Sequence, residues 1–147
     1  MSNLRPAGHH SVTSSFIVPN TAKVIAFLKR AFDARVVDLY EGPGGSVMHA
    51  EVMIGDTVVM CGDPMQGAET MPTAFSYYVA DAVAVDTTFA RALEAGATVL
   101  REPANQPWGY RAGTVRDPGG NRWTISAVIE VVGHDEILRR MAAMPKS

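Results

Sequence analysis

His49 and Glu51 are the first residues whose types and spacing could do chemistry. They stand two apart in "SVMHAEVMI", a run that reads as a β-strand. Side chains two apart on a strand share a face. His49, Glu51 and Met53 therefore point one way, and Met48, Ala50, Val52 and Ile54 the other. The second set is apolar and is expected to pack under a helix, with Met48 in the core. An imidazole beside a carboxylate on the remaining face can exchange a proton, hold a polar ligand or join a metal site. A solvated polar pair on a half-exposed sheet explains the same two residues.

The other histidines are weaker candidates. His9 and His10 are adjacent, so on an extended chain they face opposite ways and cannot share a metal. A disordered N-terminal arm is the expectation there. His134 opens a helical segment beside Asp135 and Glu136, and a surface role is expected.

A second set of residues lies in "QPWGYRAGTVRDPGGNRWTIS", Gln106 to Ser126. Its "DPGG" is first a turn: Asp117-Pro118 starts it, and Gly119 and Gly120 permit positive φ. In the strand that follows, Trp123 and Ile125 alternate with Thr124 and Ser126. The apolar pair fits a helix-packed face, which leaves Thr124 and Ser126 on the other. Trp108 and Tyr110 sit in a Pro- and Gly-flanked loop. An aromatic there can wall a flat ligand or meet a partner, or it can anchor its own loop. Arg111 and Arg116 have opposite parity, so at most one shares the face of Thr124. A guanidinium there would suit a carboxylate or phosphate, and a surface role is the alternative.

These residues are positioned by elements that occur twice. A strand over Ser11 to Val18 leads through Pro19-Asn20 into the helix "TAKVIAFLKRAF", with Asn20 as its N-cap. The strands "ARVVDLY", "SVMHAEVMI" and "TVVMCG" follow, and then a polar, Met-containing loop from Asp63 to Pro72. The order then repeats: the strand "TAFSYYVA", the helix "AVDTTFARALEAG" stopped by Gly96, and the strands "ATVLRE", "YRAGTVRD" and "NRWTISAV". Ala34 falls over Ala97 and Val36 over Val99. The chain thus reads as one α+β domain of two βαβββ modules, about 11–62 and 74–127, plus an amphipathic C-terminal helix at about 132–143. Each module has one helix for one sheet face. The other face must close against its twin or a second subunit, and a homodimer is expected.

Composition narrows the partners. The chain has 147 residues, 47% hydrophobic and 19% charged, with a formal net charge of −2 and a pI near 6.0. That balance gives no reason to expect a nucleic acid or a membrane. A single cysteine, Cys61, allows no internal disulfide, and no apolar run is long enough to span a bilayer. The expected location is the cytoplasm. No nucleophile motif or dinucleotide fingerprint appears; "GPGG" and "DPGGN" lack the strand–helix context that such motifs need.

The paired modules, "VIAFLKRAFDA", "HAEVMIGDTVVM", "PWGYRAGTVRDPGGNRW" and the trailing "EILRRM" resemble the glyoxalase/bleomycin resistance/dioxygenase superfamily, also called vicinal oxygen chelate. The likeness is greatest to its PhnB-like branch and covers roughly Ser11 to Met141. It implies two modules whose curved sheets form a cup, commonly as a homodimer. It also implies, in metal-dependent members, four ligands, one each on the first and last strands of the two modules. By motif these positions fall on Thr13, Glu51, Phe75 and Thr124. Only Glu51 is a strong ligand, so no bound metal and no cofactor are expected.

The resemblance and the pattern together give a cup lined by Ser15, His49, Glu51 and Met53 from the first module. Phe75, Tyr77, Trp108, Tyr110 and Thr124 are expected from the second. Such a lining accommodates a flat or hydrophobic small molecule. A metal-free binder is the favoured reading. The alternatives are a lyase, isomerase or dioxygenase using Glu51 and His49 on a chelating oxygen substrate, and a non-catalytic interaction module.

Overall fold

The computed structural model describes residues 4–146. The first module is β1 (Ser15–Ile17), α1 (Thr21–Phe32), β2 (Arg35–Glu41), β3 (Val47–Ile54) and β4 (Thr57–Gly62). The second is β5 (Ala74–Tyr78), α2 (Ala82–Glu94), β6 (Thr98–Asn105), β7 (Tyr110–Arg116) and β8 (Arg122–Val128). A last helix, α3, spans His134–Ala142. The sheets run β1-β4-β3-β2 and β5-β8-β7-β6, so the βαβββ unit occurs twice with the same strand order. In each, the first strand pairs in parallel with the last. No helix among the described residues is long and apolar enough to cross a membrane.

Apolar spacing explains the helices. Val24, Ile25, Phe27, Leu28, Ala31 and Phe32 of α1 are all buried. Val85, Phe89 and Ala92 do the same for α2. These stripes do not make two separate cores. Phe32 at the end of α1 packs its ring 4.8 Å from Tyr77 and 5.0 Å from Trp123, both in the second module. Phe16 of β1 meets Phe75 of β5 edge-on at 6.3 Å. The helix-bearing faces of both sheets thus share one core. Neither α1 nor α2 covers the opposite, open faces; Ile137 of α3 comes beside Tyr110 and Val128 at one end of the second.

Three local expectations are corrected. The first strand is three residues long rather than eight, because residues 8–14 leave the sheet as an arm. Asn20 adopts a left-handed conformation and makes no side-chain cap. Asp63 takes that role from 42 residues downstream, accepting from Thr21 N at 3.1 Å through one oxygen and from Val47 N at 2.6 Å through the other. Met48 is 68% exposed rather than core. A register shift between Tyr40 and Glu41 turns the start of β3, so Val47 is buried in its place.

Candidate functional site

Cross-strand register defines the open faces. In the first sheet Ser15 pairs with Met60, and Met60 with Glu51. Met53 pairs with Val58 and His49 with Tyr40 on the same side. In the second sheet Ser76 pairs with Thr124, and Thr124 with Thr114, whose hydroxyls lie 3.2 Å apart. Tyr110 pairs with Val128 on this face, and its ring meets Tyr78 edge-on at 6.0 Å. Trp123 and Ile125 face the helices, as the alternation requires.

Phe75 and Tyr77 are misplaced by the sequence reading. Phe75 pairs with Trp123 and Tyr77 with Ile125, so both lie on the helix-packed face. Phe75 stacks on Trp123 at 4.2 Å and 18°. Burial raises the Tyr77 phenol above its ordinary value, and the Asp33 charge adds to this. Trp108 is half-buried in a cavity of ≈ 270 Å³ shared with Tyr110, Val132 and Ile137, so it leans toward the C-terminal segment. Gly109 fixes that loop: its φ is +92°, and a Cβ there would meet the Glu130 carbonyl oxygen at 2.1 Å. Arg111 has the helix-side parity and binds Asp86 of α2 at 2.9 Å. Arg116 shares the open face with Thr124, directly opposite Arg122.

The arm supplies what the sequence reading missed. Pro6 and Gly8 turn the chain, and His9 N–H donates back to the Pro6 carbonyl at 3.1 Å. The His9 ring then lies on the first open face, its side chain 7% exposed, with Nε2 2.8 Å from Glu51 Oε1. Its Nδ1 is 3.2 Å from the Ala7 carbonyl oxygen. Both ring nitrogens thus face oxygen atoms, one of the Glu51 carboxylate and one of the backbone. His49 Nε2 reaches the other oxygen, Glu51 Oε2, at 3.4 Å. Gly8 covers the same face: a Cβ on it would lie 3.3 Å from Val58 and 3.6 Å from Met53. The "PAGHH" turn was the available sequence sign, and the parity argument for an extended chain hid it. His10 remains exposed.

The field on this face is negative. A hydrogen bond to Asp38 holds the Tyr40 phenol above its usual range, with the charges of Asp38 and Glu51 acting the same way. Beside the cluster lies a cavity of ≈ 340 Å³, whose wall includes Ser15, Ile17, Met48, His49, Met60 and Met65. That size suits a small ligand. Cys61 also borders it, but burial pushes its thiol up to about 12, with the Asp63 charge adding to the shift. Such a thiol is a poor nucleophile.

A family model for the glyoxalase/bleomycin resistance protein/dioxygenase superfamily matches residues 9–125. The chain belongs to that superfamily. Among curated relatives, the uncharacterized protein Mb0911c of Mycobacterium bovis is 34% identical over 152 residues, covering 96% of this chain and 95% of its own. The crystal structure of TioX from Micromonospora sp. ML1 matches with a TM-score of 0.64 at 23% identity, covering 84% of this chain and 100% of TioX. The PhnB protein from Bacillus cereus matches at 0.65 and 20% identity, covering 80% and 99%. These two likenesses concern the fold.

Within this superfamily the metal question turns on the first and last strands of each module. The open-face rows there are Ser15–Met60 and Ser76–Thr124. Glu51 lies one strand over, on β3, and Met60 holds the last-strand position in its place. Phe75 faces the core, and Thr13 precedes β1, its hydroxyl donating to the His10 carbonyl at 3.1 Å. A thioether and three hydroxyls are a poor donor set for a divalent ion, so the residues do not fit the superfamily's metal. Among the described residues no group of three His, Cys, Asp or Glu side chains is disposed to hold an ion.

Proposed function

We propose that the chain is a metal-free small-molecule binder that works as a homodimer, each binding site lying between the first open face of one copy and the second open face of another. The cavity of ≈ 340 Å³ on the first face carries this reading: Met48, Met60 and Met65 give it an adaptable apolar wall, and His49 gives it a polar handle. The second face offers the rings of Tyr78 and Tyr110 and the hydroxyls of Thr114 and Thr124. A flat, mostly apolar molecule fits that combination. A cytoplasmic location is in keeping with the single buried thiol of Cys61.

Three features support the second copy. Among the described residues, the cavity at His49 is lined by no residue of the second sheet, and the helix-bearing faces are the ones packed together. Apolar side chains stand exposed on both open faces, with Tyr78 58%, Val128 52% and Tyr40 56% exposed. Arg116 and Arg122 lie directly opposite one another, and neither has an ion-pair partner among the described residues. Like charges so placed repel unless a counter-charge is near. The first face carries Asp38, whose carboxylate supplies one across a dimer.

Sedimentation of untagged protein at micromolar concentration is expected to show a dimer, and Tyr78→Glu should shift it toward monomer. A wild-type protein that sediments only as monomer would remove the second copy from the site.

A further inference from the structure

We propose that the first open face selects ligands that carry a hydroxyl donor, and that His49 Nδ1 is the acceptor that selects them. This rests on the small-molecule reading above and adds the chemical class of the ligand.

The inference follows from which atoms can hold protons. Glu51 is pinned at both oxygens. His9, nine-tenths buried, takes Oε1 at 2.8 Å, and its second nitrogen is held by the Ala7 carbonyl. His49 Nε2 faces Oε2 at 3.4 Å. A carboxylate can only accept, so the hydrogen on this longer contact belongs to His49 Nε2. In the neutral His49 ring this leaves the lone pair on Nδ1, which makes no hydrogen bond among the described residues. The same ring forms part of the cavity wall and is 42% exposed.

Other polar atoms of the wall cannot replace it. Both Asp63 oxygens already accept from Thr21 and Val47. The Cys61 thiol is a weak hydrogen-bonding group. Ser15 can donate or accept, so it does not discriminate. The rest of the wall is apolar, chiefly Met48, Met60, Met65 and Ile17. A cavity with one fixed acceptor among thioethers fits a small aromatic alcohol. It disfavours the same ring with its oxygen methylated, because the acceptor is then covered without a partner. His9 and Glu51 are positioning residues here, since they act through the His49 tautomer.

The test compares 1-naphthol with 1-methoxynaphthalene by calorimetry on untagged, full-length protein. Wild type should prefer the naphthol by about tenfold or more, in line with the loss of one hydrogen bond to a fixed acceptor. His49→Phe keeps a ring at a half-exposed strand position and should erase the preference. Glu51→Gln should reduce it, because the tautomer is no longer fixed. Equal affinity for the two probes in wild type would overturn the hydroxyl selectivity and leave the small-molecule reading standing. A preference that survives His49→Phe would do the same. Failure of both probes, together with failure of every flat compound in a thermal-shift screen, would overturn both. Near-equimolar binding of added zinc, lost in His9→Gln, would show that the cluster holds a metal and would also sink the inference.

Discussion

Replacing Asp117 with alanine is expected to lower stability by about 3–4 kcal/mol, because several buried donors then lose one charged acceptor. Asp117 is 4% exposed and accepts four hydrogen bonds. Gly119 N donates at 2.8 Å, Asn121 N at 3.0 Å, Asn121 Nδ2 at 2.9 Å and Trp123 Nε1 at 2.9 Å. Asn121 is itself fully buried and passes the constraint on: its Oδ1 accepts from Thr73 N at 2.9 Å, just before β5. One carboxylate therefore ties the β7–β8 turn, the indole of Trp123 and the entry to the second module. Urea melts of the variant should show a lowered midpoint at an unchanged slope. A loss below about 1 kcal/mol would mean that water replaces the carboxylate and that the turn is not closed.

The second large effect belongs to Trp123. Trp123→Ala should cost about 3–5 kcal/mol, the range for truncating a large aromatic in a core. The side chain is 2% exposed and lies where the modules meet, stacked on Phe75 at 4.2 Å and tilted against Phe32 at 5.0 Å. Trp123→Phe separates the two contributions: the ring is retained and the hydrogen bond to Asp117 is lost. Combined with Asp117→Ala, Trp123→Phe should add less than its separate cost, since the two residues share one hydrogen bond. Strict additivity in a double-mutant cycle would contradict the shared network.

Period and punctuation carried most of the fold. Helix spacing in "TAKVIAFLKRAF" and "AVDTTFARALEAG", and alternation in "HAEVMI" and "NRWTIS", placed both helices and the faces of Glu51, Trp123 and Thr124 correctly. Parity failed at the Ala74–Tyr78 strand. There "AFSYY" puts aromatics on both faces, so alternation alone cannot say which side is core. Only pairing with Trp123 and Ile125 shows that Phe75 and Tyr77 point inward. Long-range polar contacts were also hidden. Nothing near Asp63 in the sequence points to the start of α1, and nothing near His9 points to Glu51. Met48 was misread because one bulge between β2 and β3 turns the start of β3, so Val47 is buried and Met48 is not, while the alternation from Ala50 onward holds.

The most direct test of the site is a calorimetric titration of untagged, chelator-treated protein with the tightest flat aromatic compound found by a thermal-shift screen. Wild type is compared with Met60→Arg, on the first open face, and Thr124→Arg, on the second. Binding should survive removal of metal, and each substitution should weaken it about tenfold or more, a loss of roughly 1.4 kcal/mol. Binding that appears only when zinc, nickel or iron is restored, or that neither substitution changes, would contradict a metal-free site built from both faces.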